Sequence, residues 1–133
     1  MKMSFWTMWL LLFLPPMLNA QQTDPVLVAQ AQLDAYNRQD VAAFAAVFAE
    51  NAQVFSNLGD EKPGLEGREA IAKRYAELFK NYPQNRSTLI GRMQQGNFVI
   101  DHELITGRSN EPVKIVAVYE VKEGLIVRCW FMR

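Results

Sequence analysis

The chain has 133 residues, half of them hydrophobic, and its 14 basic side chains balance 14 acidic ones. With no net charge and no basic block it carries no electrostatic footprint for nucleic acid or for an anionic membrane surface, and neither is expected as a partner. Its single cysteine, Cys129, excludes an internal disulfide, so stability must come from a packed core.

The chain opens with Lys2, an apolar run from Phe5 to Leu14 and Pro15-Pro16, and turns polar from Asn19 onward. That is the order of charged, apolar and cleavage regions in a secretory signal peptide. The run is about half of the roughly 20 residues a spanning helix needs, which makes a retained membrane tether the poorer reading. Cleavage after Ala20 leaves residues 21–133 as one exported domain, periplasmic or secreted, with no integral membrane segment after signal removal.

The first element is a helix from Pro25 to Arg38, with Asp24 as its cap, Pro25 in the first turn, and Leu27, Val28, Ala31 and Ala35 at helical spacing. Asp40 caps a second helix through VAAFAAVFAE, with Val41, Phe44, Val47 and Phe48 in one stripe. A short strand, Asn51 to Phe55, opens the sheet. Residues 56–67 gather glycine, proline, asparagine and charge, the chemistry of a loop. A third helix follows, with Ile71, Tyr75, Leu78, Phe79 and Tyr82 on one face, and Pro83 ends it.

The period then becomes two. Strands are predicted at Ser87 to Met93, Phe98 to Thr106, Val113 to Val121 and Leu125 to Met132, the last three as a meander. Three helices followed by a largely antiparallel sheet is an α+β order.

Three stretches then carry a family resemblance. AYNRQDVAAFAAVFAENAQVF (35–55), GREAIAKRYAELFKNYP (67–83) and VAVYEVKEGLIVRCWF (116–131) together resemble the nuclear transport factor 2-like superfamily, which includes SnoaL-like and ketosteroid isomerase-like proteins. The resemblance implies three N-terminal helices packed on a curved, mostly antiparallel sheet, forming a cone with one pocket, commonly dimerised through the outer sheet face. It does not imply one function. Ketosteroid isomerases use a carboxylate base and two donors, a tyrosine and a neutral acid. The resemblance puts Ser56 at the base, Gln32 at the donor tyrosine and Val113 near the donor acid, so the isomerase catalytic residues are missing.

The remaining candidates come from the residues themselves. His102 is the only histidine and shares a strand face with Phe98, Ile100 and Leu104, the more apolar face. If that face lines the cone, His102 is the general acid or base; a hydrogen-bonded core histidine and a surface position are the other readings. Asp101 and Glu103 point the opposite way, where ion pairing or solvation is the ordinary fate. One histidine and two carboxylates on opposite faces offer too few ligands for a metal, and no metal is expected.

Tyr36 lies one turn after Gln32, and Tyr119 shares a strand face with Val113, Ile115 and Ala117 that the resemblance points inward. Gln32, Tyr36, Ser56 and Tyr119 are the candidate ligand contacts, with satisfied packing tyrosines as the plainer alternative. Cys129 reads as a small buried hydrophobe. On the opposite face Ile126, Arg128, Trp130 and Met132 alternate, and Arg128 with Trp130 suits either a dimer surface or a solvated face. The absence of a glycine-rich phosphate loop gives no reason to expect a redox or nucleotide cofactor.

The function expected is binding of a small apolar molecule in the cone, with isomerase, dehydratase or cyclase-like acid/base activity open, against a non-catalytic homodimeric interaction module. A cone filled by Phe79, Phe98 and Phe131 would favour the second.

Overall fold

A computed structural model describes residues 23–133, so the signal peptide expected at residues 1–20 lies outside the described residues. Helix α1 runs Pro25–Arg38, with Asp24 accepting the Val26 amide at 2.9 Å. It ends at Gln39, which adopts a left-handed conformation (φ 56°) and returns its amide to the carbonyls of Ala35 and Tyr36. The buried stripe is Val28, Ala29, Gln32, Leu33, Ala35 and Tyr36, while Leu27 and Ala31 face solvent. Asp40 accepts the Ala43 amide at 3.0 Å and starts α2 (Val41–Ala46).

Helix α2 is shorter than the sequence implies. Val47 and Phe48 are not helical: β1 runs Phe48–Phe55, its first residue pairs with Ile126, and the Ile126 amide donates to Val47 O at 2.8 Å. Helical spacing and a buried strand make the same demand on an aromatic residue, and the ladder partner decides between them. The loop after β1 contains a two-residue strand, β2 (Leu65–Glu66), paired antiparallel with β1. Helix α3 (Arg68–Asn81) ends two residues before Pro83.

Strands β3 (Arg86–Gln95), β4 (Phe98–Thr106), β5 (Val113–Lys122) and β6 (Leu125–Met132) complete a six-stranded sheet of order β2-β1-β6-β5-β4-β3, antiparallel except for β1 beside β6. Three helices packed on a curved, mostly antiparallel sheet is the α+β cone expected. The curvature has local causes, because the register shifts within β1–β6, β3–β4 and β5–β6, and such bulges bend a strand. The β5–β6 turn places Glu123 and Gly124 both at positive φ, which suits a tight hairpin between right-twisted strands. Among the described residues no helix is long and apolar enough to cross a membrane.

The bulge between β5 and β6 corrects one expectation. Strict alternation would put Ile126 beside Arg128 and Trp130 on the outer face. The shift pairs Val121 with Ile126 but Glu120 with Arg128, and Ile126 is fully buried. Cys129 is a buried free thiol, raised by that burial, as a small core hydrophobe would be.

Between helices and sheet, Phe44 packs against Tyr36, Phe48, Tyr75 and Phe79, with ring centroids 4.2–6.1 Å away. The less common feature is charge inside the sheet. Asp101 on β4 is fully buried and takes two bonds from Arg92 on β3, from Nε and Nη2, each 2.7 Å; Arg92 Nη1 donates to Gln30 of α1 at 2.8 Å. A paired buried carboxylate loses its compensation when either partner goes. Asp101→Ala should lower unfolding free energy by about 3–5 kcal/mol in urea titrations, whereas replacing Arg92 and Asp101 together with Met and Leu should cost clearly less.

Candidate functional site

The burial pattern of β4 decides which side chains reach the inside of the cone. Val99, Asp101, Glu103 and Ile105 are buried, while Ile100, His102 and Leu104 are half-buried on the other face. The inward face of β4 is therefore the reverse of the one suggested by its apolar residues. His102 lies outside the cavity lining and is not positioned for proton transfer there. The cause is register: Val99 pairs with Tyr119 and Glu103 with Ile115, so once Tyr119 points inward the odd-numbered residues of β4 must follow.

The cone holds an open cavity of about 760 Å³, within the size range of pockets that enclose small ligands. It is not plugged by phenylalanine, since Phe131 lines the wall and Phe98 is exposed at the far end of β4. Leu33, Val54, Leu78, Ile105, Ile115 and Phe131 supply apolar walls. Buried Gln32, Tyr36, Glu103 and Tyr119 form a polar closed end, and exposed Ser56, Asn57, Arg74, Tyr82 and Arg133 stand at the mouth with half-buried Arg108. All four candidate ligand contacts, Gln32, Tyr36, Ser56 and Tyr119, thus border one cavity.

Glu103 is the only acidic side chain in that lining. Its Oε2 accepts from Ser87 Oγ at 2.5 Å, and its Oε1 lies 3.3 Å from the Tyr119 hydroxyl. The same hydroxyl is 3.3 Å from Gln32 Oε1. One proton faces two acceptors at equal distance, both longer than the usual O–H···O bond, so an incoming ligand oxygen can claim it cheaply. Burial pushes the Glu103 carboxyl above its ordinary range, against a smaller opposing pull from the Ser87 bond. Burial also raises the Tyr119 and Tyr36 phenols, keeping both protonated. The Tyr36 hydroxyl accepts from Asn85 Nδ2 at 2.5 Å, which leaves its own proton free to donate. The closed end is a cluster of proton donors suited to a carbonyl oxygen or a developing oxyanion.

Ser56 sits at the end of β1, where a serine hydroxyl supplies no base at neutral pH. Arg128 and Trp130 lie on the outer face: Arg128 Nε is 2.5 Å from Glu120, its guanidinium is 5.4 Å from the Trp130 ring, and Trp130 stacks on Phe55. Among the described residues no cluster of three candidate ligands for a metal forms. Sequence reasoning missed Glu103, Ser87 and the mouth arginines. The parity of β4 against Tyr119 was the one signal that could have revealed Glu103.

A family model described as a SnoaL-like domain matches residues 29–129. No curated protein matches the chain. Among solved structures, an uncharacterised cystatin-fold protein from Novosphingobium aromaticivorans is 28% identical, with 83% of this chain and 98% of that one covered and a TM-score of 0.76. A Sinorhizobium meliloti protein with a provisional polyketide-cyclase assignment is 21% identical over 79% of this chain and 93% of that one (TM-score 0.68). A Kribbella flavida protein with a provisional ketosteroid-isomerase assignment is 21% identical over 80% and 75% (TM-score 0.68). At these last two identities the likeness is one of fold.

A carboxyl whose folded pKa lies above its unfolded value stabilises the fold fully at pH below the unfolded value, and that contribution is lost as pH rises through the folded one. Glu103→Gln keeps the shape and removes the titration. Its melting temperature relative to the parent should therefore climb as pH rises above the ordinary value of 4.5, and level off once the parent's Glu103 has ionised. Thermal melts across a pH series read this directly, and a pH-independent difference would contradict it.

Proposed function

Because the chain belongs to the SnoaL-like domain family, we propose that it is an exported binding domain for a small, mostly apolar molecule whose carbonyl oxygen docks at the closed end of the cone. The observation that carries this is the meeting of Glu103, Tyr119 and Gln32 inside one open cavity. Tyr119 donates to the ligand oxygen, Gln32 and Glu103 hold the Tyr119 hydroxyl in place as its present acceptors, and Tyr36 adds a second donor. Chemistry of the isomerase, dehydratase or cyclase type would start from this proton donation, with Glu103 in the role the sequence offered to His102. The compartment rests on the signal-like order of residues 1–20, which makes the protein periplasmic or secreted.

Thermal-shift and calorimetric titration with aromatic and steroid-like ketones tests the reading. Ketones should stabilise the parent, Tyr119→Phe should weaken binding by about three- to tenfold, the worth of one hydrogen bond, and His102→Ala should leave it unchanged. A panel in which no ketone binds, or in which only His102→Ala weakens binding, would defeat it.

A homodimer through the outer sheet face is the second reading. It is favoured by the half-exposed surface formed by Ile100, Leu104, Val116, Val118, Trp130 and Met132, with Arg128 held over the tryptophan. An apolar face with an aromatic and an arginine is the composition of an interface core. Sedimentation at micromolar concentration should give a dimer, and Trp130→Glu should give a folded monomer. A monomeric parent protein would rule the dimer out.

A further inference from the structure

The mouth of the cavity has a different chemistry from its closed end. Two arginine side chains reach it from separate elements, Arg74 from α3 and Arg108 from the β4–β5 connection. Among the described residues neither has a carboxylate side chain as partner, and Arg108 reaches the Tyr36 hydroxyl, whereas Arg92 and Arg128 are both paired with carboxylates. Glu103, the only acidic side chain of the lining, is buried at the other end and engaged with Ser87 and Tyr119. The entrance therefore presents two guanidinium groups with no acidic side chain of the lining beside them.

The backbone holds one of these cations firmly. Gly107 has a φ of 76°, and a Cβ on it would lie 2.1 Å from Gln84 O, so the turn is packed against the residues that follow α3. That contact fixes the chain just before Arg108, whose guanidinium lies 5.9 Å from the Tyr82 ring and close enough to Tyr36 to draw its phenol downward against the larger effect of burial. A guanidinium stacked on an aromatic ring keeps its hydrogen-bonding edge free for a carboxylate.

We infer that the ligand is an anion: an apolar body with a carboxylate seated between Arg74 and Arg108 at the mouth, and a carbonyl oxygen at the Tyr119 hydroxyl inside. This deepens the proposed binding function and rests on it. The two ends discriminate differently. The closed end offers phenol donors to a neutral oxygen, and the mouth offers charge-assisted bonds that a neutral ester cannot satisfy as well. Orientation follows, because a carboxylate at the closed end would face a buried carboxyl and lose its solvent.

The test uses matched pairs of aryl keto-acids and their methyl esters, 3-benzoylpropionic acid among them, titrated calorimetrically into the protein at low and high salt. The acids should bind about tenfold more tightly than the esters, and added salt should erode the acids' advantage while leaving the esters unchanged. Arg74→Gln and Arg108→Gln, both on exposed or half-exposed side chains, should each shrink the preference, and the double variant should abolish it with the ester's affinity retained. Arg38→Gln, on α1 away from the cavity, should keep the full preference. Equal binding of acid and ester overturns the anionic ligand while leaving the binding reading intact. Binding of neither member of any pair overturns both.

Discussion

Strand β4 turns two carboxyl groups into the interior, and much of the architecture follows from satisfying them. Asp101 requires Arg92 from β3, and Arg92 reaches on to Gln30 of α1. Glu103 requires Ser87 from β3 and sits beside Tyr119 of β5, which in turn meets Gln32 of α1. Two side chains one step apart on a strand face thereby tie β3, β4, β5 and α1 to a single register. A slip of one residue would bury the His102 face and expose both acids, and it would strand Arg92 without a partner, a several-kcal/mol penalty for a buried charge. Hydrophobic burial alone discriminates weakly between the two faces of β4, since each carries apolar residues. The polar pairs break that near-tie.

The same pairs explain what was and was not legible beforehand. Elements with local signals were legible: α1 from its Asp24 cap and Pro25, the end of α3 from Pro83, β4 and β6 from their period of two. Their order implied an α+β class, and the family resemblance implied the cone. What failed depended on partners distant in the chain. Phe48 is a strand residue because Ile126 lies beside it, and Ile126 is a core residue because a bulge at Val127 shifts the alternation. The face of β4 depends on its pairing with β5 across the connection from Gly107 to Pro112, and a connection of that length does not pin the register as a two-residue hairpin does. Apolar content was then the remaining guide, and it favoured the wrong face because the carboxylates inside are paired.

The candidate site divides along the same line. Gln32, Tyr36, Ser56 and Tyr119 could be named early because the family resemblance places Gln32 and Ser56 and points the Tyr119 face inward, while helix spacing sets Tyr36 one turn after Gln32, and none of this needs the face of β4. Glu103 could not, and neither could the arginines at the mouth, which stand in unrelated stretches and look like ordinary surface charge until the fold brings them together. A basic cluster assembled by tertiary structure leaves no run of lysine and arginine to notice, and in a chain of zero net charge nothing in the composition points to it.

Placing chemistry on the inward residues of β4 has a consequence for the outward ones. Because side chains alternate, fixing Asp101 and Glu103 inside commits Ile100, His102 and Leu104 to the outer surface, beside Val116, Val118 and Trp130. The apolar outer face is therefore the complement of the polar closed end, and a single register produces both. Any change that re-registers β4 would damage cavity and outer face together, whereas changes at Trp130 or Arg128, which face outward from β6, can act on the surface alone. The mouth is only partly separate: Arg74 comes from α3, whereas Arg108 stands two residues beyond β4 and acts on the Tyr36 phenol of the closed end. Charge at the rim can thus be changed at Arg74 without touching the buried network on which the fold depends.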